Sequence, residues 1–155
     1  MKQINLFEKI IGSGFYTGFL PFAPGTFGSL AALLIYIIPG FENTFIIVPS
    51  IIVLFFYGVY VSSKFEKIYG KDPKQCTVDE IVGTWISFVA LPKSFFATIT
   101  AFIIWRIMDI VKLAPIKDIE NIKGGWGIML DDVVAGFYSV FLAHIIVTLF
   151  GVYFK

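Results

Sequence analysis

Five carboxylates stand where apolar segments begin or end: Asp79 and Glu80 in "TVDEIVG", Asp109 in "WRIMDIVKLAPI", and Asp131 with Asp132 in "GGWGIMLDDVVAG". Charge at the edge of a stretch apolar enough to enter a membrane is costly and marks a functional candidate. Adjacent carboxylates at a helix start repel one another, and the helix N-terminal amides compensate only in part. A hard divalent ion resolves the conflict, since Mg²⁺ takes oxygen ligands and usually keeps waters beside a substrate phosphate. The purely structural account makes Asp79 and Asp131 helix N-caps, a role that Asp favours, and leaves Glu80 and Asp132 unexplained. Asp79, Glu80, Asp131 and Asp132 are therefore the candidate metal ligands.

Arg106, the single arginine, lies three residues before Asp109 and shares its helical face. A guanidinium suits a phosphate because its fork donates two parallel hydrogen bonds. The turn "PFAPGTFGS" precedes a helix start with Thr26 as its expected N-cap, where free amides and the Thr26 and Ser29 hydroxyls could hold an anion. His144 lies twelve residues beyond Asp132, roughly 18 Å along a helix at 1.5 Å per residue. It is too deep for the same site and is expected to bond a neighbouring helix. Trp85, Trp105 and Trp126 read as interfacial anchors, and Cys76 as a lone thiol in a loop.

The elements that must position these groups are membrane elements. Of the 155 residues 57% are hydrophobic and 15% charged, against about 25% charged in soluble domains. A net charge of +1 without an extended basic run argues against nucleic-acid binding. The N-terminus lacks the unbroken apolar region and cleavage site of a signal peptide and reads as retained. Apolar runs suggest elements near 27 to 38, 44 to 63, 81 to 91, 94 to 108 and 133 to 154. Of these, the second and last approach the ~20 residues that span hydrocarbon. The third and fourth read as a tight hairpin. The expectation is one all-α domain over 1 to 155, a small polytopic membrane protein with four to five membrane elements, some short or broken.

Lysines cluster at 2 and 9, at 64 to 74, and, with Arg106, at 112 to 123, the others being Lys93 and Lys155. The positive-inside rule then places the N-terminus, the 64 to 80 loop, the 106 to 132 segment and all five acids on the cytoplasmic side. "DEIVG" and "DDVVAG" echo each other, and a glycine in each would let two helices approach and bring the acid pairs together.

Several phosphate chemistries are excluded by the letters. There is no G-x-x-x-x-G-K-[ST] loop. Six positions after Cys76 stands Val82, not the arginine of a cysteine phosphatase, no D-x-D motif occurs, and one arginine with one histidine cannot build a histidine-dependent lipid phosphatase. Metal and carboxylates must carry any phosphatase activity.

Taken in order, "PFAPGTFGS", "TVDEIVG", "WRIMDIVKLAPI" and "GGWGIMLDDVVAG" resemble the phosphatidylglycerophosphatase A family, over about Gly12 to Gly136. Leu113 departs from the family's usual "KPxP" pattern. The resemblance implies a Mg²⁺-dependent, membrane-embedded phosphatase in the cell (inner) membrane, converting phosphatidylglycerophosphate to phosphatidylglycerol and inorganic phosphate. Its motifs fall on Thr26, Asp79, Glu80, Arg106, Asp109, Asp131 and Asp132. The expected roles are catalysis by Asp131, Asp132, Arg106 and Asp109, substrate binding by Arg106, Thr26 and Ser29, and metal binding by the two acid pairs. Attack by water and a covalent aspartyl-phosphate both fit. The competing class is a small cation transporter or channel, with acids at helix ends binding the ion in transit.

Overall fold

The computed structural model describes residues 4–114, 116–119 and 121–150. Lys2, Lys155, Pro115 of the third motif and the end of the 133 to 154 run lie outside the described residues. Within them the chain is all-helical: α1 (Leu6–Gly12), a 3-10 turn (Thr17–Phe19), α2 (Pro24–Ile37), α3 (Thr44–Tyr69), α4 (Val78–Ser87), α5 (Phe95–Val111), α6 (Ile116–Ile119) and α7 (Gly125–Phe150). Short polar side chains set several starts: Asn5 and Glu8 form a capping box on α1, Asn43 accepts from the Phe45 amide, and Ser94 accepts from the Ala97 amide.

Two helices, α3 and α7, are long and apolar enough to cross a membrane, each with 26 residues. Only 17% and 22% of their most apolar windows are buried, whereas the core helix of a soluble protein would be mostly covered. Phe45, Val53, Phe56, Phe137, Phe141 and Leu149 are exposed along them, a surface suited to lipid. The other expected membrane elements correspond to α2, α4 and α5, which are shorter.

The middle of the molecule is α4, in contact with α2, α3, α5 and α7. The expected tight hairpin with α5 is replaced by a longer connection, 88 to 94, and α4 packs more on α7 and α2 than on α5. The paired glycines act as expected. A Cβ on Gly136 of α7 would stand 2.9 Å from the Gly83 carbonyl oxygen of α4, and one on Gly83 would collide with the Trp105 ring. Trp105 and Trp85 are therefore core residues, not interfacial anchors: Trp105 is fully buried, and the Trp85 indole N–H donates to the Ala32 carbonyl at 3.0 Å. Trp126 is half exposed and packs on Phe55 and Phe56.

The starts of α2, α4 and α7 meet the ends of α3 and α5 at one end of the molecule. At the other, Lys93 Nζ ties the α4 to α5 connection to the Ile38 carbonyl at 2.9 Å and to Glu42 at 2.8 Å.

Candidate active site

One acid pair is delivered by a helix start and the other from inside a helix, and neither first member is a cap. In α4 the N-cap is Thr77, and Asp79 and Glu80 occupy the first turn. Asp79 Oδ1 accepts the Glu80 amide at 2.9 Å. In α7 the helix begins at Gly125, so Asp131 and Asp132 lie about two turns inside it, both buried. The glycines explain the early start. A Cβ on Gly125 would collide with the Val59 carbonyl and one on Gly127 with the Ile122 carbonyl, while the Gly125 amide donates to Ser63 Oγ at 2.9 Å. "GGWG" is a helix entry pressed against α3, where glycine is required by contact.

Thr26 is not an N-cap either. Ala23 holds that position in a left-handed conformation (φ 42°), Pro24 follows at the first helical position, and Thr26 lies half-buried in the first turn. Pro24 and Gly25 line the acid cavity, and a Cβ on Gly25 would collide with Glu80 Oε1.

Arg106 joins the elements. Its NH1 donates to Ser29 Oγ at 3.0 Å and forms ion pairs with Glu80 Oε2 and with Asp109 Oδ2, the latter at 3.2 Å. Ser29 is fully buried; its hydroxyl is within hydrogen-bond distance of Glu80 Oε2 (2.9 Å) and the Gly25 carbonyl (3.1 Å), and accepts from Arg106 and, at 3.3 Å, from the Trp105 indole. Helices α2, α4 and α5 are thus tied through one serine and one arginine.

One carboxylate oxygen from each of Glu80, Asp109 and Asp132 lies within 4.8 Å of the other two. They face a polar cavity of about 240 Å³ that Asp79 and Asp131 also line. Asp131 Oδ2 accepts from Lys112 Nζ at 3.0 Å and its Oδ1 from the Asp132 amide at 3.0 Å. Glu80 and Asp79 lie outside the two helices long and apolar enough to cross a membrane. Desolvation pushes Glu80 up to about 7, with Asp109 adding to the shift and Arg106 and Ser29 opposing it. Desolvation, then the Glu80 and Asp131 charges, push Asp79 well above the usual carboxylate range.

Among the described residues His144 bonds its own helix, not a neighbour: Nδ1 is 2.8 Å from the Val140 carbonyl. It lines a separate apolar cavity of about 660 Å³ between α3 and α7. Cys76 sits in the α3 to α4 loop, as expected, and is buried, its sulfur 3.1 Å from Ser62 Oγ. Sequence reasoning did not single out Lys112, Asp72, Lys74 or Thr77, which also line the acid cavity. For Lys112 the "KPxP" position was an available signal, while Asp72 and Lys74 sit in a polar loop that reads as ordinary surface.

The phosphatidylglycerophosphatase A family model matches residues 10–147. The chain belongs to the phosphatidylglycerophosphatase A family. It is 35% identical over 144 residues to a phosphatidylglycerophosphatase A of Escherichia coli, covering 88% of this chain and 81% of that protein. A Haemophilus influenzae protein of the same name is 34% identical over 152 residues, covering 94% and 93%. A Bacteroides thetaiotaomicron protein named "Putative phosphatidylinositol-3-phosphatase" is 43% identical over 150 residues, covering 92% and 94%. No solved structure matches the chain. The family makes the chain a phosphatase and leaves the transporter or channel reading without support.

Proposed function

We propose that the chain hydrolyses phosphatidylglycerophosphate to phosphatidylglycerol and inorganic phosphate, with Mg²⁺ as cofactor. The observation that carries this reading is the gathering of Glu80, Asp109 and Asp132, the first two paired to Arg106, in a member of a phosphatase family. The donor set fits the ion. Three carboxylates offer hard oxygens, and their separation of up to 4.8 Å is close to the roughly 4.2 Å across an octahedral Mg²⁺ with 2.1 Å bonds. Glu80, Asp109 and Asp132 would hold it, with Asp79 and Asp131 as further ligands from the same cavity wall. When bound, the ion supplies Lewis-acid polarisation of a phosphoryl oxygen and a more acidic water.

The remaining work falls to side chains. Arg106, oriented by Asp109, donates to the phosphoryl oxygens and balances their charge. Ser29, whose hydroxyl is already engaged, positions Glu80 and Arg106 instead of touching substrate. The start of α2, with Thr26 in its first turn, offers amides to the incoming phosphate. Lysines 64, 67, 71, 74, 112, 117 and 123 belong to the end that carries the cavity, against Lys93 at the other. That bias supports a multi-pass protein of the cell (inner) membrane with the site on the cytoplasmic side, where a lipid head group meets water.

The relative named for phosphatidylinositol 3-phosphate favours a second reading, a phosphoinositide substrate. Both lipids carry a phosphomonoester on a polyol joined through a phosphodiester. Purified protein in mixed micelles, offered each lipid with Mg²⁺ or with chelator, separates them. Mg²⁺-dependent phosphate release from phosphatidylglycerophosphate is expected, and faster release from the phosphoinositide would transfer the assignment to it.

A further inference from the structure

We propose that Lys112, with Lys74 at the rim, binds the phosphodiester of the lipid, so that the site reads two phosphates instead of one. This rests on the lipid-phosphatase reading above.

Among the described residues, six carboxylates and two lysines line the cavity. A phosphomonoester with a phosphodiester behind it brings still more negative charge, and a single divalent ion offsets only part of the total. Cations are needed along the approach, and they are arranged by depth. Arg106 is the least exposed, its side chain 17% exposed, paired to the lining acids Glu80 and Asp109 and bonded to buried Ser29. Lys112 is nearer the surface, its side chain 27% exposed. Lys74 is exposed. A lipid monophosphate with its reacting phosphate against Arg106 and the acid cluster would trail its diester, a polyol's length away, towards Lys112 and Lys74.

The backbone at Lys112 adds an independent reason. It ends α5 in the left-handed region, φ 46° and ψ 63°, which is strained for a residue with a Cβ and which glycine or asparagine would adopt more easily. Strain of this kind persists where the surroundings hold it and clusters at ligand clamps. Here it accompanies a side chain that lines the cavity and reaches Asp131 Oδ2 at 3.0 Å. An ammonium has three donors in a rotatable group, so one lysine can hold the Asp131 carboxylate and a phosphate oxygen together. Asp131, a further ligand in the proposed metal site, then also aims Lys112 through its Oδ2.

The test uses the full-length protein in mixed micelles with Mg²⁺, phosphatidylglycerophosphate as substrate, and two inhibitors. Phosphatidylglycerol presents the diester alone, and inorganic phosphate mimics the monoester. Lys112→Ala should raise KM and the inhibition constant of phosphatidylglycerol about tenfold, as for loss of a charged hydrogen bond. kcat and inhibition by inorganic phosphate should change less than about threefold. Lys112→Arg should recover most of the loss, and Lys74→Ala should show the same pattern more weakly. A fall in kcat with unchanged phosphatidylglycerol inhibition would overturn the proposal, as would a wild-type enzyme insensitive to phosphatidylglycerol. Absence of phosphate release by the wild type would instead refute the function on which it rests.

Discussion

Two clusters of buried charge in this chain are built on opposite plans. Near the N-terminus, Glu8 is 4% exposed and fully matched: Lys64 and the Tyr60 hydroxyl donate to Oε1, and the Asn5 amide donates to Oε2 at 3.0 Å. The Lys64 hydrogen bond is the main reason its carboxyl lies below the usual range. In the cavity, Glu80, Asp109 and Asp132 crowd together with one guanidinium between two of them, and Glu80 is pushed up to about 7. A buried carboxylate with its own cation and donors fastens α1 to α3. A group of carboxylates in excess of their cations is poised to take a ligand.

The contrast is sharpest in substitution. Asp132→Asn should lower Mg²⁺-dependent phosphate release at least about a hundredfold while leaving the thermal midpoint in detergent unchanged or raised, since a crowding charge is removed. Gly136→Leu tests the packing that brings the acid pairs together. Forcing α7 away from the Gly83 carbonyl should cost about 1–3 kcal/mol of stability and about tenfold in rate, read by thermal melts and phosphate assays on one preparation. For pH, the raised Glu80 carboxyl must be ionised to bind metal. The apparent Mg²⁺ affinity should therefore rise from about pH 6 to about pH 8, by up to about tenfold per unit below its pKa, as measured by Mg²⁺ titration of the rate. Glu8→Gln should do the reverse of Asp132→Asn, lowering the melting midpoint by a few degrees with kcat within about twofold.

The acids and Arg106 were legible in the sequence because polar residues at the edges of apolar runs have few structural reasons to be there. The Gly83 and Gly136 contact was legible through the echo of "DEIVG" in "DDVVAG". Thr26 reads as a cap, and a cap is the structural alternative for Asp79 and Asp131, for one local reason: the sequence suggests helix starts only through the side chains that favour them. Here α7 starts at Gly125, where only glycine clears the Val59 carbonyl, and α2 starts at Ala23 and Pro24. Trp85 and Trp105 looked like anchors because their burial depends on α2 and α4, which no local pattern reveals. Ser29 was read as an anion donor, yet its four polar neighbours come from α2, α4 and α5. The Glu8 and Lys64 pair spans 56 residues and left no local trace.

The most direct measurement is phosphate released from phosphatidylglycerophosphate by the wild type, Asp132→Asn and Glu8→Gln, across a Mg²⁺ titration at fixed pH. A matched structural cluster and an unmatched one with the proposed catalytic role require metal-dependent release by the wild type and Glu8→Gln, and almost none by Asp132→Asn. Release by Asp132→Asn at the wild-type rate, or by the wild type equally with and without Mg²⁺, would contradict it.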